Sequence, residues 1–184
     1  MSVFTIPCPR VTLAILEPDE AHLVRDYYLE NRDHLEPWEP IKNASFYDLN
    51  GIRSRIEAAL GEFREGRSYP FAVLDKDTGR MIGVCNFSNI VRGVFQACYL
   101  GFAVAASYQG KGIMHEAVQA GIDHMFNTVG LHRIMANHLP HNQRSAKLLA
   151  RLGFEREGYA KSYLKIAGRW QDHVLTALTN PNEK

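Results

Sequence analysis

Two glycines flanking one lysine stand where a run of strand-like residues passes into a long amphipathic helix pattern. They are Gly110 and Gly112, on either side of Lys111, in the stretch from Tyr108 to Ala117. Glycine at such a turn lets the backbone approach a ligand closely, and the helix start offers unpaired N–H groups and a partial positive charge. The spacing predicts a site for an anion, above all a phosphate or pyrophosphate. A tight turn that happens to hold a lysine would use the same residues, so the glycines alone leave both interpretations open.

Two common nucleotide-binding motifs do not fit this stretch. A Walker A loop needs four residues between its glycines and then Lys followed by Ser or Thr, whereas Lys111 is followed by Gly112. A dinucleotide fingerprint needs a third glycine where His115 stands. Phosphate recognition therefore remains, without support for nucleotide hydrolysis or dinucleotide binding.

A second candidate group lies on a predicted helix further along the chain. Ser145 shares a helical face with three leucines, which predicts that it points inward at the first turn. The opposite face carries three basic residues: Arg144, Lys147 and Arg151. This pattern would suit a second phosphate beside a reacting group. The alternative is a solvated charged face and a serine hydrogen-bonded to its own helix.

Metal and thiol chemistry find little support. His132, His138 and His141 span a strand end and a proline-containing loop, with no Cys or acid to complete a ligand set, so no metal is expected. The three cysteines are odd in number and widely spaced, which favours free thiols in a reducing cytosol. Cys98 could act as a nucleophile that forms a covalent intermediate, but no motif supports this, and a cysteine buried in a strand usually acts as a small hydrophobe.

The composition is that of an ordinary globular protein. The 184 residues are 46% hydrophobic and 22% charged, with a formal net charge of +1. We therefore expect one domain over residues 1–184, with a core from about 11 to 178 and short loose termini. The chain has no apolar run long enough for a membrane span and no signal-peptide pattern at its start. The near-neutral charge gives no reason to expect a nucleic-acid or membrane partner, and we expect a cytoplasmic protein.

Periodicity predicts an α/β chain with a mixed, mostly antiparallel twisted sheet. About seven strands are expected, at 11–16, 69–74, 81–87, 95–104, 131–137, 159–166 and 170–178. Four helices are expected: from 18 to about 32, from 49 to 65, after the glycine loop, and from 143 to 152. The segment 34–40, HLEPWEP, is predicted to be a loop because its prolines do not continue a helix. It is either a connector whose Trp38 packs on the core or one lip of a substrate site.

Two motifs together resemble the Gcn5-related N-acetyltransferases (GNAT). That family carries Arg/Gln-x-x-Gly-x-Gly/Ala in its pyrophosphate loop, and residues 109–114, QGKGIM, match except that Met114 replaces the last small residue. Met114 is therefore expected to crowd the last turn of the loop. Residues 142–145, NQRS, with the leucine pattern and LGF at 152–154, match the RimJ/RimL branch. Longer stretches, such as ENRDHLEPWEP and HRIMANHLPHNQRS, are similar to the alanine N-acetyltransferases of ribosomal proteins in that branch.

The resemblance implies a GNAT fold with a splayed central strand pair, and acetyl-CoA as co-substrate. The pantetheine arm would lie between the strand ending at Val104 and the strand from His132, pairing with backbone groups of residues 102–104, one of whose N–H groups would stabilise the oxyanion. Ser145 would hydrogen-bond or protonate the departing sulfur. Asn142 would hold the cofactor or a bridging water, or would only cap its helix. The implied cofactor-binding residues are Phe102, Ala103, Val104, Gln109, Gly110, Lys111, Gly112, Ile113, Met114, Asn137, Asn142 and Ser145.

The general base is harder to assign. Many family members have an acid near the position of Tyr99, which joins Ser145 and Asn142 as a predicted catalytic residue, although a phenol is a poor base at neutral pH. A weak base or a water relay would suit an α-amine, with pKa about 7.7–8.0, better than a lysine, with pKa about 10.4. Glu116 is another candidate, but it is more typical of a surface ion pair. The predicted substrate-binding residues are Trp38, Glu36 and Glu39, whose acids could attract a cationic amine.

The resemblance implies direct transfer of acetyl from acetyl-CoA, in a ternary complex, to the N-terminal alanine α-amine of a small-subunit ribosomal protein. A pre-ribosomal particle would be a further partner; sequence-specific nucleic acid and membrane would not. Two alternatives remain open. One is a GNAT enzyme that acetylates another peptide or small amine, and the other is an acetyl-CoA-binding ribosome-assembly factor whose catalysis is dispensable.

Overall fold

The computed structural model describes residues 2–182, in which one sheet of eight strands is flanked by five α-helices. The strands are β1 Phe4–Pro7, β2 Val11–Ile15, β3 Tyr69–Asp75, β4 Met81–Val91, β5 Ala97–Val104, β6 Arg133–His138, β7 Glu155–Ile166 and β8 Arg169–Thr179. The helices are α1 Ala21–Glu30, α2 Arg32–Leu35, α3 Leu49–Arg64, α4 Ile113–Asn127 and α5 Gln143–Arg151. No helix in this part of the chain is both long and apolar enough to cross a membrane.

The sheet opens in its middle. Its strand order is β1-β2-β3-β4-β5-β6-β8-β7, and each neighbouring pair is antiparallel except β5 and β6. The parallel pair is in register at Ala97–Tyr99 opposite Arg133–Met135. Beyond those residues β5 stays paired with β4, and β6 stays paired with β8, so their facing edges separate. This confirms the predicted mixed, mostly antiparallel sheet with a splayed central pair.

Both faces of the sheet are covered, as the alternation along β2 shows. Leu13 belongs to the larger buried cluster, which also holds apolar residues of α3, α4 and α5. Ala14 belongs to a smaller cluster on the other face, around Tyr27 of α1. Helix α4 lies close to the sheet at Gly121, where a Cβ would lie 2.6 Å from Cε2 of Phe87. This close contact fixes the position of the glycine loop at the start of α4.

The structure corrects the prediction in three places. The first residues are not loose, because Phe4–Pro7 forms β1 and pairs with β2. The segment after α1 is not a plain loop, because α2 is followed by a 3₁₀ helix at Glu36–Trp38. The break between α1 and α2 falls at Asn31, whose side chain donates to the Tyr27 carbonyl oxygen and accepts from a backbone N–H 75 residues away.

The predicted loose tail begins later than expected. The Asn180 backbone N–H donates to the His132 carbonyl oxygen at 2.7 Å, and the Asn180 side chain donates to the Leu131 carbonyl oxygen at 3.2 Å. Asn180 is buried by these contacts. Residues 183–184 lie outside the described residues.

Candidate active site

The glycine loop adopts a conformation that requires glycine. Gly110 has φ 74° and Gly112 has φ 76°, in the left-handed region that other residues adopt only with strain. Gly112 is the N-cap of α4 and makes no side-chain cap hydrogen bond. A Cβ on Gly110 would meet nothing within 4 Å. The first N–H groups of α4 are therefore approachable, as an anion site requires.

Arg10, in the turn between β1 and β2, holds this loop from behind. Its guanidinium donates to the Lys111 carbonyl oxygen at 2.8 Å and to a Glu116 carboxylate oxygen at 2.8 Å, and its backbone N–H donates to the other oxygen at 2.7 Å. Partial burial raises the pKa of Glu116, but these hydrogen bonds outweigh it and lower the pKa overall. Glu116 thus forms the expected ion pair and supports the loop, rather than lying ready as a base.

A cavity of about 1050 Å³ lies in the opening between β5 and β6. It extends from the glycine loop to the start of α5 and to the segment after α2. It is as large as the larger small-molecule sites of proteins. Most of the predicted site residues line it: Trp38, Glu39, Phe102, Ala103, Val104, Gln109, Gly110, Gly112, Ile113, Met114, Asn137, Asn142 and Ser145.

Three predicted site residues do not line this cavity. Glu36 faces a separate small pocket beside Arg32 and Tyr47. The ammonium group of Lys111 lies over the ring of Tyr108, 5.4 Å from its centroid. The third is Tyr99, which lies where β5 and β6 are still paired.

Tyr99 belongs to a short polar chain beside the cavity. The Tyr163 hydroxyl is hydrogen-bonded to Tyr99, and Asn137 Nδ2 donates to that Tyr163 hydroxyl at 3.4 Å. Burial, together with the hydrogen bond to Tyr99, raises the pKa of Tyr163. Tyr163 is therefore held as a neutral phenol, and its partner Tyr99 is engaged with it instead of standing alone as a base.

Met114 does not crowd the loop as expected. Its side chain is 7% exposed and belongs to the larger buried cluster. Its Cε lies 3.2 Å from the position of a Cβ on Gly83 of β4. The missing side chain of Gly83 gives Met114 space within the core, and the loop keeps its open shape.

The start of α5 brings Asn142, Ser145 and three basic side chains to one wall of the cavity. Asn142 Oδ1 accepts the Ser145 backbone N–H at 3.1 Å and so caps the helix. Within residues 2–182 the Ser145 hydroxyl has no hydrogen-bond partner, although it lines the cavity. Arg144, Lys147 and Arg151 line the same cavity, so the basic stripe lies beside the serine and not away from it.

The segment 34–40 forms one lip of the cavity. His34 Nε2 lies 3.2 Å from the Val104 carbonyl oxygen and 3.1 Å from Gln109 Nε2. Trp38 is 38% exposed and lines the cavity. The Ala167 N–H, in the β7–β8 turn, donates to the Glu39 carbonyl oxygen at 2.9 Å. The carboxylate of Glu39 forms an ion pair with Lys42, which reduces its attraction for a cationic amine.

Among the described residues, neither Cys98 nor any cluster of side chains is suited to thiol or metal chemistry. Cys98 is fully buried in β5, and this burial raises its pKa to about 12, so it remains a neutral thiol. No group of three or more His, Cys, Asp or Glu side chains able to hold a metal lies within residues 2–182.

Comparison with known proteins identifies the family. The acetyltransferase (GNAT) domain matches residues 10–155. The chain belongs to the GNAT acetyltransferase family. The [ribosomal protein uS5]-alanine N-acetyltransferase of Escherichia coli (strain K12) is 50% identical over 174 residues, which cover 94% of this chain and 89% of that protein. The predictions of a GNAT fold, an N-acetyltransferase and a member of the RimJ/RimL branch are thereby confirmed.

Two solved GNAT structures are similar over nearly the whole chain. The ribosomal-protein-S5-alanine acetyltransferase of Vibrio fischeri is 39% identical with a TM-score of 0.93, covering 98% of this chain and 99% of that one. Mycobacterium smegmatis RimJ in complex with CoA-disulfide is 32% identical with a TM-score of 0.89, covering 100% of this chain and 89% of that one. GNAT enzymes take their acetyl group from acetyl-CoA, so family membership also confirms the predicted co-substrate.

Four polar residues at or near the site were missed from sequence. Arg10 precedes the first predicted strand, and no local pattern links it to a loop about a hundred residues later. Most of the chain separates His34 from the last hairpin, which carries Tyr163 and His173. Alternation along β8 would have put His173 on a definite face of the sheet, but only the register shows which face borders the cavity. Tyr163 lies where the pairing of β7 with β8 shifts between Ala160 and Leu164, so alternation along β7 does not place it.

Proposed function

We propose that this GNAT enzyme acetylates the α-amine of an N-terminal alanine on a small-subunit ribosomal protein. The observation that carries the proposal is the 50% identity, over 94% of this chain, to an enzyme named for that activity. The RimJ-type match at residues 142–145, and the cavity that opens beside it, support the same activity. The acetylation would take place in the cytoplasm, where ribosomal proteins are made.

The residues present fit coenzyme A. The left-handed glycines leave the N-terminus of α4 open for the pyrophosphate, and Gln109 stands next to them. Arg144, Lys147 and Arg151 on the cavity wall would bind a further phosphate of the nucleotide. The facing edges of β5 and β6 have backbone groups not used between those strands, and the pantetheine arm would pair with them as an added strand does.

Proton transfer and charge stabilisation follow from this placement. A backbone N–H of β5 near Phe102 would polarise the thioester carbonyl and stabilise the oxyanion. The amine attacks the carbonyl carbon, the C–N bond forms, and the C–S bond breaks. The Ser145 hydroxyl, which has no other partner in residues 2–182, would donate to the departing sulfur. Asn142 acts indirectly: it caps α5 and so positions Ser145.

An α-amine suits this site better than a lysine side chain. With pKa values of about 7.7–8.0 and about 10.4, the α-amine is roughly 300-fold richer in the neutral form at pH 7. Among the described residues that line the cavity, the one carboxylate, Glu39, is paired with Lys42, and Glu116 behind the glycine loop is paired with Arg10, so neither is suited to act as a strong base. We propose that Trp38 and the paired Glu39 contact the acceptor peptide at the lip, and that Glu36 does not.

The partner is proposed to be the ribosomal protein itself, alone or within a pre-ribosomal particle. A formal net charge of +1 gives the protein little general attraction for RNA. We therefore propose that the enzyme reads the N-terminal residues of its substrate and not a nucleic-acid sequence.

Intact-mass spectrometry of ribosomal proteins tests this proposal. Cells lacking the gene should contain one small-subunit protein that is lighter by one acetyl group, and the parent gene should restore the mass. A Ser145→Ala copy should restore it poorly, whereas an exposed helix variant, Asn50→Ala, should restore it fully. If no ribosomal protein changes mass, the substrate assignment is refuted. If Ser145→Ala supports ribosome assembly as well as the parent without restoring acetylation, a non-catalytic assembly role gains support.

A further inference from the structure

His173 is a buried histidine that borders the same cavity and has no role in the mechanism above. Its exposed fraction is 4%, and it lines the cavity. In β8 it precedes Val174, which lies opposite His138 at the last pair between β6 and β8. Because β6 ends at His138, His173 lies just beyond the last β6–β8 pair, where β8 alone continues along the opening between β5 and β6.

The register places His173 on a defined face of the sheet. Asn137 lies opposite Leu175, and alternate residues of a strand share a face, so His173 lies on the face of Asn137. Met135 shares that face and lies opposite Tyr99. The neighbouring position Ala136 belongs instead to the larger cluster, on the side where α4 and α5 pack.

The lip of the cavity lies on the same side as His173. Leu35, which immediately precedes the 3₁₀ turn, packs in the smaller cluster, on the face opposite α4. The phosphate-binding elements, the N-terminus of α4 and the wall of α5, thus belong to one side of the sheet, and the lip and His173 to the other. An acceptor amine that enters past Trp38 would reach the opening from the side of His173.

The hydrogen bonding of His173 leaves one ring nitrogen available. Nδ1 lies 3.1 Å from the Gln171 carbonyl oxygen, which can only accept a hydrogen bond, so Nδ1 carries the proton. Nε2 then has a lone pair, and it makes no hydrogen bond to any residue from 2 to 182. The Tyr163 ring, 5.6 Å away between centroids, packs against the imidazole and limits its rotation.

We propose that His173 is the general base of the acetyl transfer, a role that rests on the proposed function for its substrate class. Nε2 takes one proton from the acceptor ammonium, and the freed amine attacks the thioester carbonyl carbon. As the C–S bond breaks, the second proton leaves the nitrogen and passes through the Ser145 hydroxyl to the thiolate. The protonated His173 then releases its proton to solvent, so that one proton is released in each turnover.

The groups that face His173 are compatible with this role. Tyr163 of β7 is a neutral phenol because burial and its hydrogen bond to Tyr99 raise its pKa. Asp172, the preceding residue, has its carboxylate engaged by the Tyr159 hydroxyl and the Ser162 N–H. Across the cavity Glu39 is neutralised by Lys42.

The test compares His173→Asn with the parent. Asparagine can still donate to the Gln171 carbonyl oxygen but has no basic nitrogen. At pH 7 we expect kcat/KM to fall by about 100-fold, with the Kd for acetyl-CoA within about threefold. The defect should shrink by roughly tenfold between pH 7 and pH 9, because the α-amine then loses its proton in solution. His22→Asn is the matched control, since His22 also has Nδ1 beside a backbone carbonyl, 3.2 Å from that of Asp19, but is exposed on α1.

Two results would overturn the assignment. One is kinetic: either the defect stays constant with pH, or the loss at pH 7 is less than threefold. The other is a ¹⁵N NMR spectrum in which the neutral ring of His173 carries its proton on Nε2, a readout that needs no acceptor. The rates are measured on whichever amine the parent acetylates. If the parent accepts a small amine but no alanine peptide, the proposed substrate is wrong. The ratio of kcat/KM between the parent and His173→Asn can still be measured on that small amine.

Discussion

Met114 occupies a position where the loop of this family usually has a small residue. Replacing it with alanine tests whether its side chain crowds the glycine loop or packs in the core. In the structure its side chain is 7% exposed and packs toward Gly83 in the core. Met→Ala substitutions in cores cost about 2–5 kcal/mol. Since Met114 also borders the cavity, where water can partly fill the space, we expect Met114→Ala to cost about 2–3 kcal/mol of unfolding free energy.

Urea denaturation and calorimetric titration with CoA would measure the two effects. The affinity for CoA should change by less than threefold, because the Met114 side chain does not occupy the glycine loop. Met81→Ala is a matched control: Met81 is 8% exposed, packs in the smaller cluster and does not line the cavity, and this variant should lose similar stability with unchanged affinity. Tenfold tighter CoA binding by Met114→Ala, about 1.4 kcal/mol, with little loss of stability would show that the methionine does crowd the loop.

Three further substitutions probe the elements that hold the site. Gly121→Ala should cost about 1–3 kcal/mol in urea denaturation, because its Cβ would lie 2.6 Å from the buried ring of Phe87; unchanged stability would refute this packing. Glu116→Gln should be less stable than the parent at pH 7, because the arginine hydrogen bonds lower the pKa of Glu116 in the folded protein. The difference should be full above the unfolded-state pKa of about 4.3, shrink as pH falls below it, and vanish once pH is below the lowered pKa of the folded state. Gly112→Ala should weaken CoA binding by about tenfold, since a left-handed non-glycine residue costs about 1–2 kcal/mol. Gly130→Ala, at φ 74° in another turn, should lose stability but not affinity.

The local parts of the fold could be predicted because local chemistry determines them. Helix α3 was expected at 49–65 and lies at Leu49–Arg64, since its apolar residues repeat at helical spacing and Asp48 caps it. Strand β1 was missed because four residues ending in Pro7 carry too little pattern, and its pairing with β2 supplies the order. Segment 34–40 was predicted as a loop from its prolines, yet proline is well tolerated in the first turn of a helix.

The parts of the site that depend on distant contacts could not be predicted. The accommodation of Met114 depends on Gly83, and the approach of His34 to Gln109 joins residues 75 positions apart. Helical spacing put Ser145 and the basic stripe on different faces, but the cavity is wide enough to border both. The loop glycines were recognised because a left-handed backbone at a helix start has a direct sequence signature.

Acetyl transfer to a defined peptide tests the central claim most directly. The purified protein is incubated at pH 7 with acetyl-CoA and a peptide that begins with alanine and contains one internal lysine. A matched peptide has its α-amine blocked. Tandem mass spectrometry should place a single acetyl group on the alanine nitrogen of the free peptide and none on the blocked one. Equal acetylation of the lysine in both peptides, or transfer to other amines with none to the alanine peptide, would contradict the account.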